Sequence, residues 1–167
     1  MILFGVNFNA YFLLLMRKFR RAAASEEVRG YFVVIVVAVG IITANIYSMY
    51  NSFGEALRQA AFQVGSIITT TGFSSCDFDL WPTLSKEVLV VLMFIGACAG
   101  STGGGIKVSR IVIAVKTILK ELNGYIHPKS VKKLTFEHKP VDHDVIRSIN
   151  VYFMTYAVIF VVSMLLV

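Results

Sequence analysis

The residues at 88–119 read VLVVLMFIGACAGSTGGGIKVSRIVIAVKTIL, and how that stretch folds decides the architecture. As one helix it would be roughly 48 Å long at 1.5 Å per residue, well beyond a hydrocarbon layer of about 30 Å. Its middle holds five of the twelve glycines, at 96, 100, 103, 104 and 105. Each costs a helix about 1 kcal/mol relative to alanine, and three come in succession. A straight helix is therefore strongly disfavoured. The stretch predicts a first half-helix down to about Ala97, an irregular loop near mid-membrane, and a second half-helix from about Ile106. Lys107, Arg110, Lys116 and Lys120 mark the inner end.

Working outward, the chain of 167 residues is 56% hydrophobic and 16% charged, where a soluble domain carries about 25% charged residues. Residues 30–54 and 148–167 run without a charge, each long enough to cross a bilayer. These runs exclude a cytosolic enzyme, a disulfide-stapled secreted domain and a disordered segment. Two cysteines, Cys76 and Cys98, provide no disulfide framework. The net charge of +6 is distributed as topology information. Five of the 16 basic residues fall in 17–29 and nine in 107–147, with only Arg58 and Lys86 between. Positive loops lie on the cytoplasmic side, so 17–29 and about 116–146 are inside and 51–87 outside. A basic patch for nucleic acid is the weaker reading.

Residues 1–16 are apolar and precede Arg17, Lys18, Arg20 and Arg21. A secretory signal has the opposite order. The segment reads as the last part of a helix entering the cytoplasm, with Gly5, Asn7 and Phe8 in its middle. An apolar run also reaches Val167, and the chain is expected to be a piece of a longer protein.

Between the two long apolar stretches, 30–50 reads as an outward crossing. Ser52 and Glu55 have capping-box spacing and start a helix over about 54–68, too short to cross. The polar run Thr69-Thr70-Thr71-Gly72-Phe73-Ser74-Ser75 follows, then Asp77, Asp79, Trp81 and Pro82, with Trp81 as an interfacial anchor. A helix that enters and leaves on one side is re-entrant, and irregular backbone at that depth must be buried in protein or line a water-filled path. Asn123-Gly124 signals a turn, 125–147 a basic cytoplasmic connection and 148–167 the next crossing. The fold class expected is all-α integral membrane: a potassium-channel-like membrane–pore–membrane repeat with a re-entrant pore helix and a broken second helix. Its divisions are 1–29 (end of a preceding repeat and cytoplasmic link), 30–121 (one complete repeat), 122–147 (connection) and 148–167 (start of the next repeat).

Alone, Thr-Thr-Gly would be an ordinary polar turn. At the C-terminus of a pore-type helix, the negative end of the helix dipole favours a cation there. Thr69, Thr70, Thr71, Gly72 and Phe73 supply carbonyls and hydroxyls, and Gly72 is free to take a positive φ that turns successive carbonyls the same way. Carbonyl rings that replace an ion's hydration shell are how potassium filters work, and Thr70-Thr71-Gly72-Phe73 has the form of their T-V-G-Y. One such strand is part of a ring of about four.

The glycine stretch is not a Walker A loop, because Ile106 separates Lys107 from the last glycine. Ala99-Gly100-Ser101-Thr102-Gly103 resembles a nucleophile elbow, but all three histidines lie in the connection. Small-residue helix packing explains Gly96 and Gly100 without explaining Gly103, Gly104 and Gly105 together. An intramembrane loop beneath the filter explains all of them and would make a gate. His138, Asp142, His143 and Asp144 lack the spacing of a zinc motif and read as a solvated loop face. Lys107 is read equally as a functional charge at membrane depth and as a side chain snorkelling to the inner interface.

Ile68-Thr-Thr-Thr-Gly-Phe73, Asp77-Phe-Asp-Leu-Trp-Pro82 and Gly100-Ser-Thr-Gly-Gly-Gly-Ile-Lys-Val108 together resemble the third repeat of the Trk/Ktr/HKT superfamily of potassium transporters, and within it the TrkH branch. Gly5-Val-Asn-Phe8 resembles the end of that superfamily's second repeat. The resemblance implies four repeats in one chain around a single pore, Gly72 as the filter glycine of one of them, and a gating loop made by Gly96, Gly100, Ser101, Thr102, Gly103, Gly104, Gly105 and Lys107. It implies potassium as substrate, held through Thr70, Thr71 and Gly72, with no cofactor and no enzymatic activity. The partners it implies are the remaining repeats of the same chain, a second copy in a homodimer, a cytoplasmic nucleotide-binding regulatory subunit and the lipid of a bacterial plasma membrane. The rival expectation is a non-transporting membrane scaffold or sensor subunit, with the glycines serving packing.

Overall fold

The computed structural model describes residues 1–126, 134–137 and 139–166. It forms two compact units, Met1–Ser109 and Arg110–Val167.

In the first unit a 3-10 turn, Ile2–Gly5, precedes α1 (Phe8–Leu15). The helix expected to run through Gly5, Asn7 and Phe8 is broken there. Val6 and Asn7 are extended, and the Asn7 side chain caps α1 by accepting from the Asn9 N–H at 2.8 Å. Arg17, at φ +56°, ends α1 in a Schellman-type closure, with Lys18 N–H donating to the Leu13 carbonyl. After α2 (Phe19–Ala24), helix α3 (Glu26–Ile46) starts four residues before the expected position 30. The reason is local: Ser25 accepts from the Val28 N–H, and Glu26 and Glu27 place negative charge on the first turn.

One stripe of α3, Tyr31, Ile35, Ala38, Ile42 and Ile46, is buried against α4 (Phe53–Ile68) and α5 (Thr83–Phe94). On α4 the matching stripe is Ala56, Ala60 and Val64, small residues that let the backbones approach. The opposite side of α3 is apolar too, with Val33, Val36, Val37 and Ile41 exposed, as expected of a helix facing lipid. With the 3-10 turn to Met49 that extends it, α3 is long and apolar enough to cross a membrane. Two details differ from expectation. Ser52 precedes α4, but its side chain does not cap; its carbonyl takes the Glu55 N–H instead, at 3.1 Å. Trp81 turns inward and is 3% exposed, its indole N–H donating to Tyr50 Oη at 3.3 Å, because a buried indole needs an acceptor.

Gly5 is where this unit is tightest. A Cβ there would lie 2.2 Å from Tyr31 Oη, and that fully buried phenol donates to the Ile2 carbonyl at 2.9 Å. The rigid ring cannot turn aside without losing this bond. Gly5→Ala is expected to destabilise the unit by about 2–4 kcal/mol, from overpacking plus a lost hydrogen bond. Gly40→Ala, in open space on α3, is expected to be neutral or mildly stabilising. Denaturant unfolding of both variants in detergent checks the contrast.

The second unit contains the body of α6 (Val108–Ile126), a short antiparallel pair β1 (Thr135–Phe136) and β2 (Lys139–Pro140), and α7 (His143–Leu166). Asn123 and Gly124 lie inside α6, not in a turn; an isolated helical glycine costs only about 1 kcal/mol. Likewise α7 starts at His143, ahead of the expected 148, and is long and apolar enough to cross a membrane. Ile113, Leu134 and Ile149 form the core of this unit, and the Arg110 guanidinium stacks on the Tyr152 ring at 4.0 Å. His127 and His138 lie outside the described residues.

Candidate functional site

Helix α4 stops where the sequence turns polar. The Thr69 N–H still reaches the Gly65 carbonyl, at 3.3 Å, and its hydroxyl donates to the same carbonyl at 2.6 Å. From there the chain leaves the helix through alternating conformations: Thr70 has φ +55° and Gly72 has φ +79°. Gly72 was expected in this region; Thr70 was not, since a side chain there costs about 1–2 kcal/mol. Three bonds hold it. Its N–H donates to the Ile67 carbonyl at 2.9 Å, its hydroxyl donates to the Thr69 carbonyl at 2.7 Å, and the same hydroxyl accepts from the Gly104 N–H at 2.9 Å.

The back of the segment is tethered to α4 by polar residues on that helix's buried face. The Ser66 hydroxyl donates to the Phe73 carbonyl at 2.5 Å, and the Ser66 carbonyl accepts from the Thr71 N–H at 2.9 Å. Gln63 donates to Ser74 Oγ at 2.6 Å and to the Cys76 carbonyl at 3.3 Å. The five candidate residues thereby divide. The carbonyls of Thr69 and Phe73 accept side-chain hydroxyls. Among the described residues nothing donates to those of Thr70, Thr71 and Gly72, all three of which are exposed residues.

Helix α5 ends at Phe94, earlier than expected, and α6 resumes at Val108, so the break covers 95–107. Its neck is backbone against backbone. Ile95 and Ile106 pair as an isolated parallel bridge, Gly96 N–H donates to the Ile106 carbonyl at 2.8 Å, and Ile106 N–H donates to the Phe94 carbonyl at 3.1 Å. A Cβ on Gly96 would lie 2.0 Å from the Gly104 carbonyl oxygen, while Gly100 and Gly105 have positive φ. The glycines thus serve close approach and left-handed turns, which ordinary helix packing does not require.

The loop is stitched to its surroundings on every side. Cys98 N–H donates to the Gly5 carbonyl at 3.0 Å, Phe8 N–H to the Gly100 carbonyl at 3.2 Å, and Gly104 N–H to Thr70. The Ser101 hydroxyl donates to the Cys98 carbonyl at 2.6 Å, and Thr102 reaches the Phe4 carbonyl at 3.4 Å. The Lys107 ammonium donates to the Gly103 carbonyl, so this side chain folds back onto the loop. The structure therefore brings the polar run and the glycine loop into direct contact through Thr70 and Gly104.

Three contributing residues escaped the sequence reading, Glu27, Gln63 and Ser66, while Asn7 reads there only as part of a helix end and not as a cap. For Gln63 and Ser66 a signal exists, since both interrupt the apolar face of α4 just before its polar end. Glu27 is an acid among the basic residues at 17–29 and is buried, a position a carboxylate occupies only with partners.

The fold as a whole has known counterparts. A crystal structure of the potassium transporter TrkH from Vibrio parahaemolyticus superposes with a TM-score of 0.90 at 31% identity, covering 98% of this chain and 36% of that one. The Trk system potassium uptake protein TrkH of Salmonella typhimurium is 34% identical over 99% of this chain and 35% of its own length. Its Escherichia coli K12 counterpart is 31% identical over the same shares. The chain thus spans about a third of the length of the curated relatives it matches. The family described as TrkH, cation transport protein, matches residues 10–167. The resemblance drawn from the three motifs is borne out, as is a mostly helical fold that matches the TrkH membrane-transporter structure: the chain belongs to the TrkH family of cation transport proteins.

Proposed function

We propose that the chain is the part of a potassium uptake transporter that supplies one membrane–pore–membrane repeat, with α4 as its re-entrant pore helix. The observation that carries this reading is the set of unbonded carbonyls at Thr70, Thr71 and Gly72, just beyond the negative end of α4. Oxygens held in place and left without donors suit a dehydrated monovalent cation. Thr69 and Phe73 frame that site, since their own carbonyls are engaged.

One strand gives a quarter of a ring, so the remaining repeats of the same transporter complete the filter. In this reading 1–29 ends the preceding repeat, 30–121 is the complete repeat, 122–147 connects on the cytoplasmic side, and 148–167 begins the next. The bond from Gly104 N–H to the Thr70 hydroxyl holds the glycine loop against the start of the filter strand, which suits a gate. Gly96, Gly100, Ser101, Thr102, Gly103, Gly104 and Gly105 form that gate, and Lys107 braces it through Gly103. The transporter sits in the bacterial plasma membrane, works as a homodimer, and takes its control from a cytoplasmic nucleotide-binding subunit.

The full-length transporter, purified and reconstituted in lipid vesicles, tests the reading. Rubidium, as a potassium substitute, is expected to enter under an inward gradient faster than sodium. Equal rubidium and sodium fluxes, or none of either, would overturn it.

A further inference from the structure

Glu27 lies on the first turn of α3 and is 5% exposed. One carboxylate oxygen accepts from the Ala99 N–H at 2.5 Å, across 72 positions of sequence. The other accepts from the Asn7 amide at 3.2 Å. Asn7 is committed as well, because its own carbonyl oxygen caps α1. The backbone beside this pair repeats the connection, with Cys98 bonded to Gly5 and Phe8 bonded to Gly100. One carboxylate therefore joins three separate segments: the break before α1, the start of α3 and the first limb of the glycine loop.

A bland role exists for an acid at this place, namely favourable charge at a helix N-terminus. Glu26 already supplies that from a partly exposed position, and the dipole does not require burial or reach to Ala99. Burying a carboxylate is costly unless its oxygens find donors, and bonds to a charged acceptor are about twice as strong as neutral ones. We propose that Glu27 is a positioning residue for the glycine loop, clamping its Ala99 limb to Asn7 and α3 so that Gly104 stays against Thr70. Its bearing on transport rests on the loop being the gate; the clamp itself does not.

The test uses the full-length transporter in nanodiscs with two separate readouts: amide hydrogen exchange over residues 97–105, and rubidium flux without regulatory partner. Glu27→Ala is expected to speed loop exchange about 10-fold or more, from the loss of charge-assisted bonds, while exchange in α4 stays at the wild-type rate. Flux should rise with it. Unchanged loop exchange overturns the clamp. Faster loop exchange with unchanged flux upholds the clamp and overturns the gate reading instead.

A reciprocal pair keeps the proposal falsifiable if Glu27→Ala fails to accumulate. Asn7→Asp preserves the α1 cap but faces one carboxylate with another, and is expected to loosen the loop. Adding Glu27→Gln restores a donor–acceptor pair and leaves an oxygen for Ala99, so the double variant is expected to recover most of the lost protection. If the double variant is no better protected than Asn7→Asp alone, the clamp is refuted.

Discussion

Gly96→Ala is expected to produce a transporter that leaks rubidium without its regulator, at a rate raised about 10-fold or more. The new methyl group would sit 2.0 Å from the Gly104 carbonyl oxygen and within 3.0 Å of the Gly104 and Gly105 carbonyl carbons. All three are backbone atoms, so no side chain can swing away to make room. The two limbs of the neck must separate by on the order of 1 Å. Gly96 N–H to Ile106 and Ile106 N–H to Phe94 are the bonds that would open. Overpacking and two weakened hydrogen bonds together cost about 2–5 kcal/mol, a large effect for one methyl group. The strain falls on the loop and not on the α3–α4 packing, so the variant should reach the membrane and reveal its defect in control of flux. Rubidium uptake normalised to membrane-inserted protein is the measurement. A Gly96→Ala protein present at normal level and still tightly controlled would remove the gate from the glycine loop.

Sequence alone makes two breaks in this chain legible, misses the third at Val6 and Asn7, and leaves the bonds across all of them hidden. The end of α4 at Ile68 and the interruption of 88–119 follow from strong local signals: three threonines ending an apolar face, and glycines too dense for a helix. Weaker local signals failed where tertiary or helical context outweighed them. Ser52 and Glu55 have capping-box spacing without the side-chain bond, and Asn123-Gly124 continues as helix. Thr70 is the opposite case, a non-glycine residue in a left-handed conformation that no propensity favours, held by Ile67, Thr69 and Gly104. Glu27 was invisible for a similar reason. The two partners that make it a clamp are 20 and 72 positions away, and periodicity reports only which face of a helix is buried.

Gly72→Ser is expected to do the reverse of Gly96→Ala: leave control of the pore nearly intact and degrade the choice of ion. Beyond the adjoining residues, no atom lies within 4 Å of where the Cβ would go, so the side chain fits the space. What it does not fit is the backbone, at φ +79°. A serine held there costs about 1–2 kcal/mol, and the strain is relieved by rotating the adjoining peptide planes. Neighbouring tethers confine that rotation. Thr71 N–H is bonded to the Ser66 carbonyl at 2.9 Å, Gly72 N–H reaches the same carbonyl at 3.5 Å, and the Phe73 carbonyl is bonded to the Ser66 hydroxyl, so the Gly72 carbonyl is the group freest to move. That is one of the three proposed ion ligands. Discrimination depends on several carbonyls matching a dehydrated ion together, so misplacing one, at about 1–2 kcal/mol, is expected to lower the rubidium-to-sodium flux ratio about 10-fold. Total flux should fall much less, and the unfolding free energy by no more than the strain itself. Paired rubidium and sodium uptake in one vesicle preparation reads the ratio directly. An unchanged ratio would show that this strand does not line the ion path, whatever the glycine loop does beneath it.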